Sequence, residues 1–204
     1  MSLESRLAEL RKDLLGPAGP SISTNRSYPF AIFQYYPTEE YEARTKIGEL
    51  AQNLTLTGWR VRTVDLFQLL ALYLAEQEGG ELIDAMIEEE KLQYHAYGDD
   101  WKPALDYLSN TLTPHFNRMD GYPARVLEQI QEVARGSDGN RTVVFLSRVG
   151  SLYPFYRTSA LLRFLDTGVK VPTIILYPGH KEDQHYLSFM GVMSADRDYR
   201  PRIY

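Results

Sequence analysis

Six residues of the kinds that hold anions or partner proteins fall within eleven positions: Ser147, Arg148, Gly150, Ser151, Tyr153 and Arg157. A glycine lets the backbone turn close to a ligand, and amides ahead of a helix can point at a negative group. Arginine adds a planar cation suited to phosphate or carboxylate, and serine adds a hydroxyl. This group is the candidate partner or anion contact. A plainer reading covers the same residues. Gly150 satisfies a turn, Pro154 starts a helix over Tyr153–Arg157, and Arg157 pairs with a carboxylate. Helix starts commonly look like this, so the plainer reading takes precedence.

Other chemistries find less support. A Walker A loop needs a glycine-rich turn followed by Lys and Ser or Thr. The first apolar strand is followed through Gln34-Tyr35-Tyr36-Pro37-Thr38, with no glycine and no lysine. Asp65 ends another strand, but it stands where a helix cap is expected. His95, His115, His180 and His185 are the only histidines. His180 and His185 bracket Glu182 and Asp183, yet the spacing is not that of a metalloprotease helix, and a solvated polar loop explains it. The Arg148–Leu152 turn is not a Gly-x-Ser-x-Gly elbow. With no cysteine, thiolate zinc sites and a Cys nucleophile are excluded. No catalytic residue, metal site or cofactor is expected.

The elements that position these residues follow from apolar periodicity. Leu3, Leu7, Leu10 and Leu14 line one face of a helix that Gly16-Pro17 ends. Tyr28–Tyr35 reads as a nearly all-apolar, hence central, strand. Thr38 is expected to cap a helix with Ile47, Leu50, Ala51 and Leu54 inside, stopped by Gly58. Trp59–Val64 is a second strand, and Asp65 with Gln68 opens another helix in a capping-box pattern. Residues 80–120 show only helical periodicity, with Leu82, Met86, Ile83 and Ile87 inward and Glu88–Glu90 outward. Ala104–Leu112 is a shorter helix after Pro103. Pro123–Arg135 is a helix with proline in its first turn. Thr142–Leu146 and Pro172–Tyr177 flank a helical segment, the strand–helix–strand unit of a parallel sheet. His180–Gln184 is a loop, Tyr186–Val192 a short strand, and Asp198–Tyr204 an edge strand. The expected fold is a single α/β domain over residues 1–204. It has a mostly parallel sheet of about five strands, helices on both faces, a P-loop-like core without Walker motifs, and a helical insert at 80–120.

The chain has 204 residues, 44% apolar and 24% charged, with a net charge of −5. It is therefore not a general polyanion binder, and direct DNA binding is not expected. The charge is uneven. Arg135, Arg141, Arg148, Arg157 and Arg163 follow one another, Arg197, Arg200 and Arg202 close the chain, and Glu76–Asp100 is acidic. Arginines in this setting suit the carboxylates of a protein ahead of nucleic acid. The charged, amphipathic start is not a signal peptide, and no apolar run is long enough to span a membrane, so a cytoplasmic address is expected. The 15 tyrosines are expected at half-buried sites with the hydroxyl at a polar edge.

Several of these segments resemble one known family. Residues 2–15 (SLESRLAELRKDLL), Pro29–Phe33 and Val64-Asp65-Leu66 carry part of the likeness. Residues 143–165 (VVFLSRVGSLYPFYRTSALLRFL) and 171–179 (VPTIILYPG) carry most of it. They resemble BrxB, a small component of bacterial BREX phage defence. The strongest part is the Gly150–Arg157 turn with Tyr177-Pro178-Gly179, while the middle helices are similar only in length and character. The resemblance implies a role rather than a reaction: a non-enzymatic adaptor that binds PglZ, a protein with an alkaline-phosphatase-like domain. The BREX ATPase and methyltransferase are further partners it implies. The alternative function, from a different class, is a regulatory module that binds nucleotide or nucleic acid at the strand carboxyl ends.

Overall fold

The structure is a computed structural model that describes residues 2–17, 19–22, 29–136, 141–166, 168–183, 186–189 and 201–204. Five strands run parallel: β1 (Phe30–Tyr35), β2 (Arg60–Asp65), β3 (Thr142–Ser147), β4 (Thr173–Asp183) and β6 (Arg202–Ile203). Their order is β2-β3-β4-β1-β6, and β5 (Tyr186–Phe189) pairs antiparallel with the far end of β4. The first strand is thus interior, as in a P-loop-like core. The β-branched and aromatic content of β1, β3 and β4 suits strands buried on both sides.

Alternate side chains of β1, β3 and β4 enter two separate cores, as the strand period of two requires. Ile32, Val64, Leu146 and Ile175 face one core, where α3 (Leu66–Ala75), α6 (Tyr122–Ala134) and α7 (Thr158–Leu165) pack. Phe33, Phe145, Ile174 and Leu176 face the other, against α1 (Leu3–Leu14) and α2 (Glu40–Leu56). Each fully buried Val, Leu, Ile or Phe contributes about 1.5–3 kcal/mol. The remaining helices, α4 (Leu82–Tyr97) and α5 (Lys102–Asn117), pack on α3 and α6 respectively and on each other. Helices therefore lie on both faces, and between β2 and β3 the regular elements among the described residues are all helices.

Several local expectations are corrected. Thr38 is not a cap: residues 37–39 form a 3₁₀ turn, and Glu39 accepts the Tyr36 N–H at 2.9 Å. The helix after Pro103 runs to Asn117, well past Leu112, and continues through Pro114. Ile87 is 43% exposed rather than inward, whereas Leu82, Ile83 and Met86 pack into or against the core. Glu89 is half-buried and accepts from Gln93. His180–Asp183 is not a loop but the end of β4, whose ladder continues onto β5. His185 lies outside the described residues.

Tyrosine follows its expected pattern in the cores. The buried hydroxyls of Tyr35, Tyr122 and Tyr204 donate to Glu40, the Leu66 carbonyl and Asp13. Tyr41, Tyr94 and Tyr97 depart from it and are largely exposed.

One glycine is fixed by close approach. A Cβ on Gly121, between α5 and α6, would lie 2.2 Å from the His115 carbonyl oxygen. Gly48, inside α2, has nothing within 4 Å of the same added atom. Gly121→Ala is therefore expected to cost about 2 kcal/mol or more through that clash, while Gly48→Ala should gain roughly 0.5–1 kcal/mol in helix propensity. Urea melts of the two variants check the opposite signs.

His115 itself is half-buried, its Nδ1 3.2 Å from the Tyr73 hydroxyl. Burial, and then the Arg118 charge, lower its pKa. The unfolded chain titrates this group near about 6.5 and so binds more protons than the folded one below that pH. Stability is expected to fall as pH drops from there through the lowered folded pKa. His115→Gln should flatten that part of a melting-temperature profile; parallel profiles would refute the assignment.

Candidate functional site

The carboxyl ends of the parallel strands are where open α/β sheets meet ligands. Here that edge carries two side-chain clusters. The first joins β2 and β3, whose register sets Asp65 beside Ser147. Asp65 caps α3, accepting the Gln68 N–H at 2.9 Å, as the sequence implied. Its other carboxylate oxygen lies 3.5 Å from the Arg148 guanidinium, which also sits 4.9 Å over the Phe67 ring. The Ser147 hydroxyl turns back into the sheet and donates to the Val64 carbonyl. That of Ser151 donates to the Arg148 carbonyl at 2.7 Å, and the Ser151 N–H joins it at 3.0 Å.

The turn is built differently from the sequence expectation. The left-handed residue is Arg148, at φ 59°, and not Gly150. The paired bonds from Ser151 onto its carbonyl hold it there, in a region where a non-glycine side chain is uncommon. Gly150 lies within a 3₁₀ turn, Val149–Leu152, that precedes the helix. Pro154 does not start a helix. A residue before proline is pushed to the extended region, and Tyr153 has φ −75° and ψ 141°. The helix begins only at Thr158, with Arg157 as its extended N-cap residue. Arg157 is exposed, and no ion pair to it occurs among the described residues. The expected carboxylate partner is thus not found there. Outward-facing groups of this cluster are Phe67, Tyr153, Arg157 and part of Arg148.

The second cluster was not anticipated. Arg6 is only 4% exposed although it is an arginine. Its guanidinium donates to Glu39 at 2.8 Å and to the Gln34 amide oxygen at 3.3 Å. Gln34 in turn donates to the Gly179 carbonyl at 2.5 Å. The Tyr36 ring lies 5.6 Å beneath the Arg6 cation. One sequence signal could have found it: Arg6 follows Leu3 by three and precedes Leu10 by four, so it stands on the apolar stripe of α1. The cluster ties α1, β1 and β4 together and leaves its cation already paired.

What leaves β1 is the 37–39 turn, with no glycine or lysine to cradle a phosphate. Among the described residues no group of three or more His, Asp or Glu side chains could hold a metal ion. No helix among them is long and apolar enough to cross a membrane.

The two clusters should respond differently to loss of a carboxylate. Glu39→Gln strips the counter-charge from a buried arginine and should cost about 2–3 kcal/mol. Asp65→Asn keeps a good cap and loses only a half-exposed pair, so about 0.2–1 kcal/mol is expected. Denaturant titration of both variants gives the comparison, and equal losses would show that Arg6 reaches water.

Compared with known families, residues 62–203 match the family model described as BREX protein BrxB. Comparison with curated proteins and with solved structures gives no match. The matched span holds the β2–β3 cluster, whereas Arg6, Gln34 and Glu39 precede it.

Proposed function

We propose that this chain, which belongs to the BrxB family of BREX proteins, is a non-enzymatic adaptor that binds a PglZ-like protein. Membership makes it a component of BREX phage defence. The adaptor role rests on one observation above the others. At the sheet edge where α/β enzymes place their chemistry, the hydroxyls of Ser147 and Ser151 and the carboxylates of Asp65 and Glu39 are each engaged in bonds that hold the fold. What this edge turns outward is aromatic and arginine surface, from Phe67, Tyr153, Arg148 and Arg157. Aromatic residues and arginine are the types that anchor protein interfaces. Ser147 and Ser151 then serve as supports of the contact, and Gly150 as a residue small enough for close approach.

The test is co-expression with the PglZ-like protein of the same system, followed by size-exclusion chromatography. Co-elution is expected, and Arg157→Ala with Tyr153→Ala should weaken it at least tenfold. An exposed arginine with no ion pair among the described residues costs little to remove, so Arg157→Ala should change stability by no more than about 0.5 kcal/mol. Separate elution at micromolar concentration would count against the reading. Turnover of ATP by the purified chain, lost in Asp65→Asn, would favour the nucleotide-binding alternative instead.

A further inference from the structure

The two helices between α3 and α6 carry more than they contribute to the core. No residue from Ile83 to Thr111 is buried, so the distal part of the α4–α5 pair stands clear of both cores. Helix α4 has two adjacent stripes. Leu82, Met86, Glu89 and Gln93 form the inner one, all buried or half-buried. The second starts at Ile83, itself packed against the core, and continues outward as Ile87, Glu90, Tyr94 and Tyr97, at spacings of four, three, four and three. That is the repeat by which one helix presents a seam to another. Along it, Ile87 is 43%, Tyr94 65% and Tyr97 55% exposed, and Trp101 at the start of α5 is 69% exposed. Aromatic residues left this open at the end of a helical pair are unusual for a surface with no partner.

Charge identifies what fits. Residues 76–100 hold nine carboxylates and one lysine, a net of −8, whereas the whole chain carries −5. The rest of the protein is therefore net positive, and the negative charge is gathered on this arm. Two of the nine carboxylates are paired among the described residues, Glu76 with Arg125 and Glu88 with Lys91. Crowded, unpaired carboxylates repel DNA and anionic lipid headgroups and attract lysine and arginine. Open tyrosine and tryptophan faces add sites for the same cations.

We infer that the open stripe of α4 docks a lysine- and arginine-rich amphipathic helix of another protein of the complex. This surface is distinct from the strand edge, and an adaptor requires two. The inference relies on the adaptor reading only in expecting a protein partner, whichever component supplies it.

The experiment places a photo-cross-linking amino acid at Tyr94 in the full chain, in cells carrying the complete defence system. Cross-linked peptides are mapped by mass spectrometry. The expected product joins Tyr94 to a basic helical segment of a different protein, and Glu88→Lys with Glu90→Lys lowers its yield at least tenfold while the melting temperature holds. Ile87→Ser with Tyr97→Ser should lower phage resistance at least tenfold, again without a stability change. No product, a product with a second copy of this chain or with nucleic acid, a neutral or acidic target segment, or a yield indifferent to the charge reversal would each overturn the inference. Co-elution with the PglZ-like protein and no Tyr94 product would remove this docking face and leave the adaptor reading intact. A basic-helix product without co-elution would do the reverse.

Discussion

Val64, Leu146, Ile175, Ile32 and Ile203 meet in one row across the five parallel strands. The next row, offset by one residue, is Thr63, Phe145, Ile174, Ala31 and Arg202, and it faces the opposite core. With both faces of the central strands out of water, no strand can slip by one residue without moving its apolar set into the wrong core. The register is therefore fixed by packing. It places Asp65 beside Ser147 and Gln34 beside Tyr177 at the carboxyl edge. Everything functional at that edge inherits its position from these rows.

The same constraint explains where charge is buried. Helix α1 precedes β1 in the chain and covers the face that Phe33 and Phe145 fill. Its ends are tied to the sheet by polar contacts as well as by the buried Leu3, Leu10 and Leu14. At its amino end Arg6 reaches Gln34 and Glu39. At the other, Arg202 of the edge strand pairs with Glu9 at 2.6 Å and Asp13 at 2.7 Å, and the Tyr204 hydroxyl donates to Asp13. Burial, and then that bond, hold the Tyr204 hydroxyl protonated well above the usual tyrosine range. These latches bring residues 2–14 and 201–204 together across one edge of the sheet, so a two-residue strand at the chain's end is held in place.

Two surfaces remain that the cores do not use. The strand edge around Arg148 is held by its own hydrogen bonds and turns aromatic and arginine side chains outward. The α4–α5 arm is acidic, aromatic and clear of the sheet. The two differ in charge and lie on separate parts of the fold. The sheet is the frame that keeps both surfaces in fixed relation to α3 and β3.

Apolar periodicity by itself determined most of the strands and helices and the two-faced burial, because alternation and the 3.6-residue repeat are properties of the chain. It also exposed the cap at Asp65 and the missing phosphate loop, which are local chemistry. The turn after β3 was legible only in outline. Its residues were found, but the left-handed position fell on Arg148, because the Ser151 hydroxyl and amide both bind the Arg148 carbonyl and carry the strain that Gly150 was expected to relieve. Ile87 looked apolar and so inward; it is open because Leu82, Ile83 and Met86 meet the core and Ile87 does not. Arg6 was not singled out in the sequence; it is buried because β1 and the turn after it bring Gln34 and Glu39, some thirty residues away in sequence, to its guanidinium. Strand order, the pairing of the chain's two ends and the free face of α4 belong to the tertiary structure alone, since each depends on contacts between segments that no local pattern links.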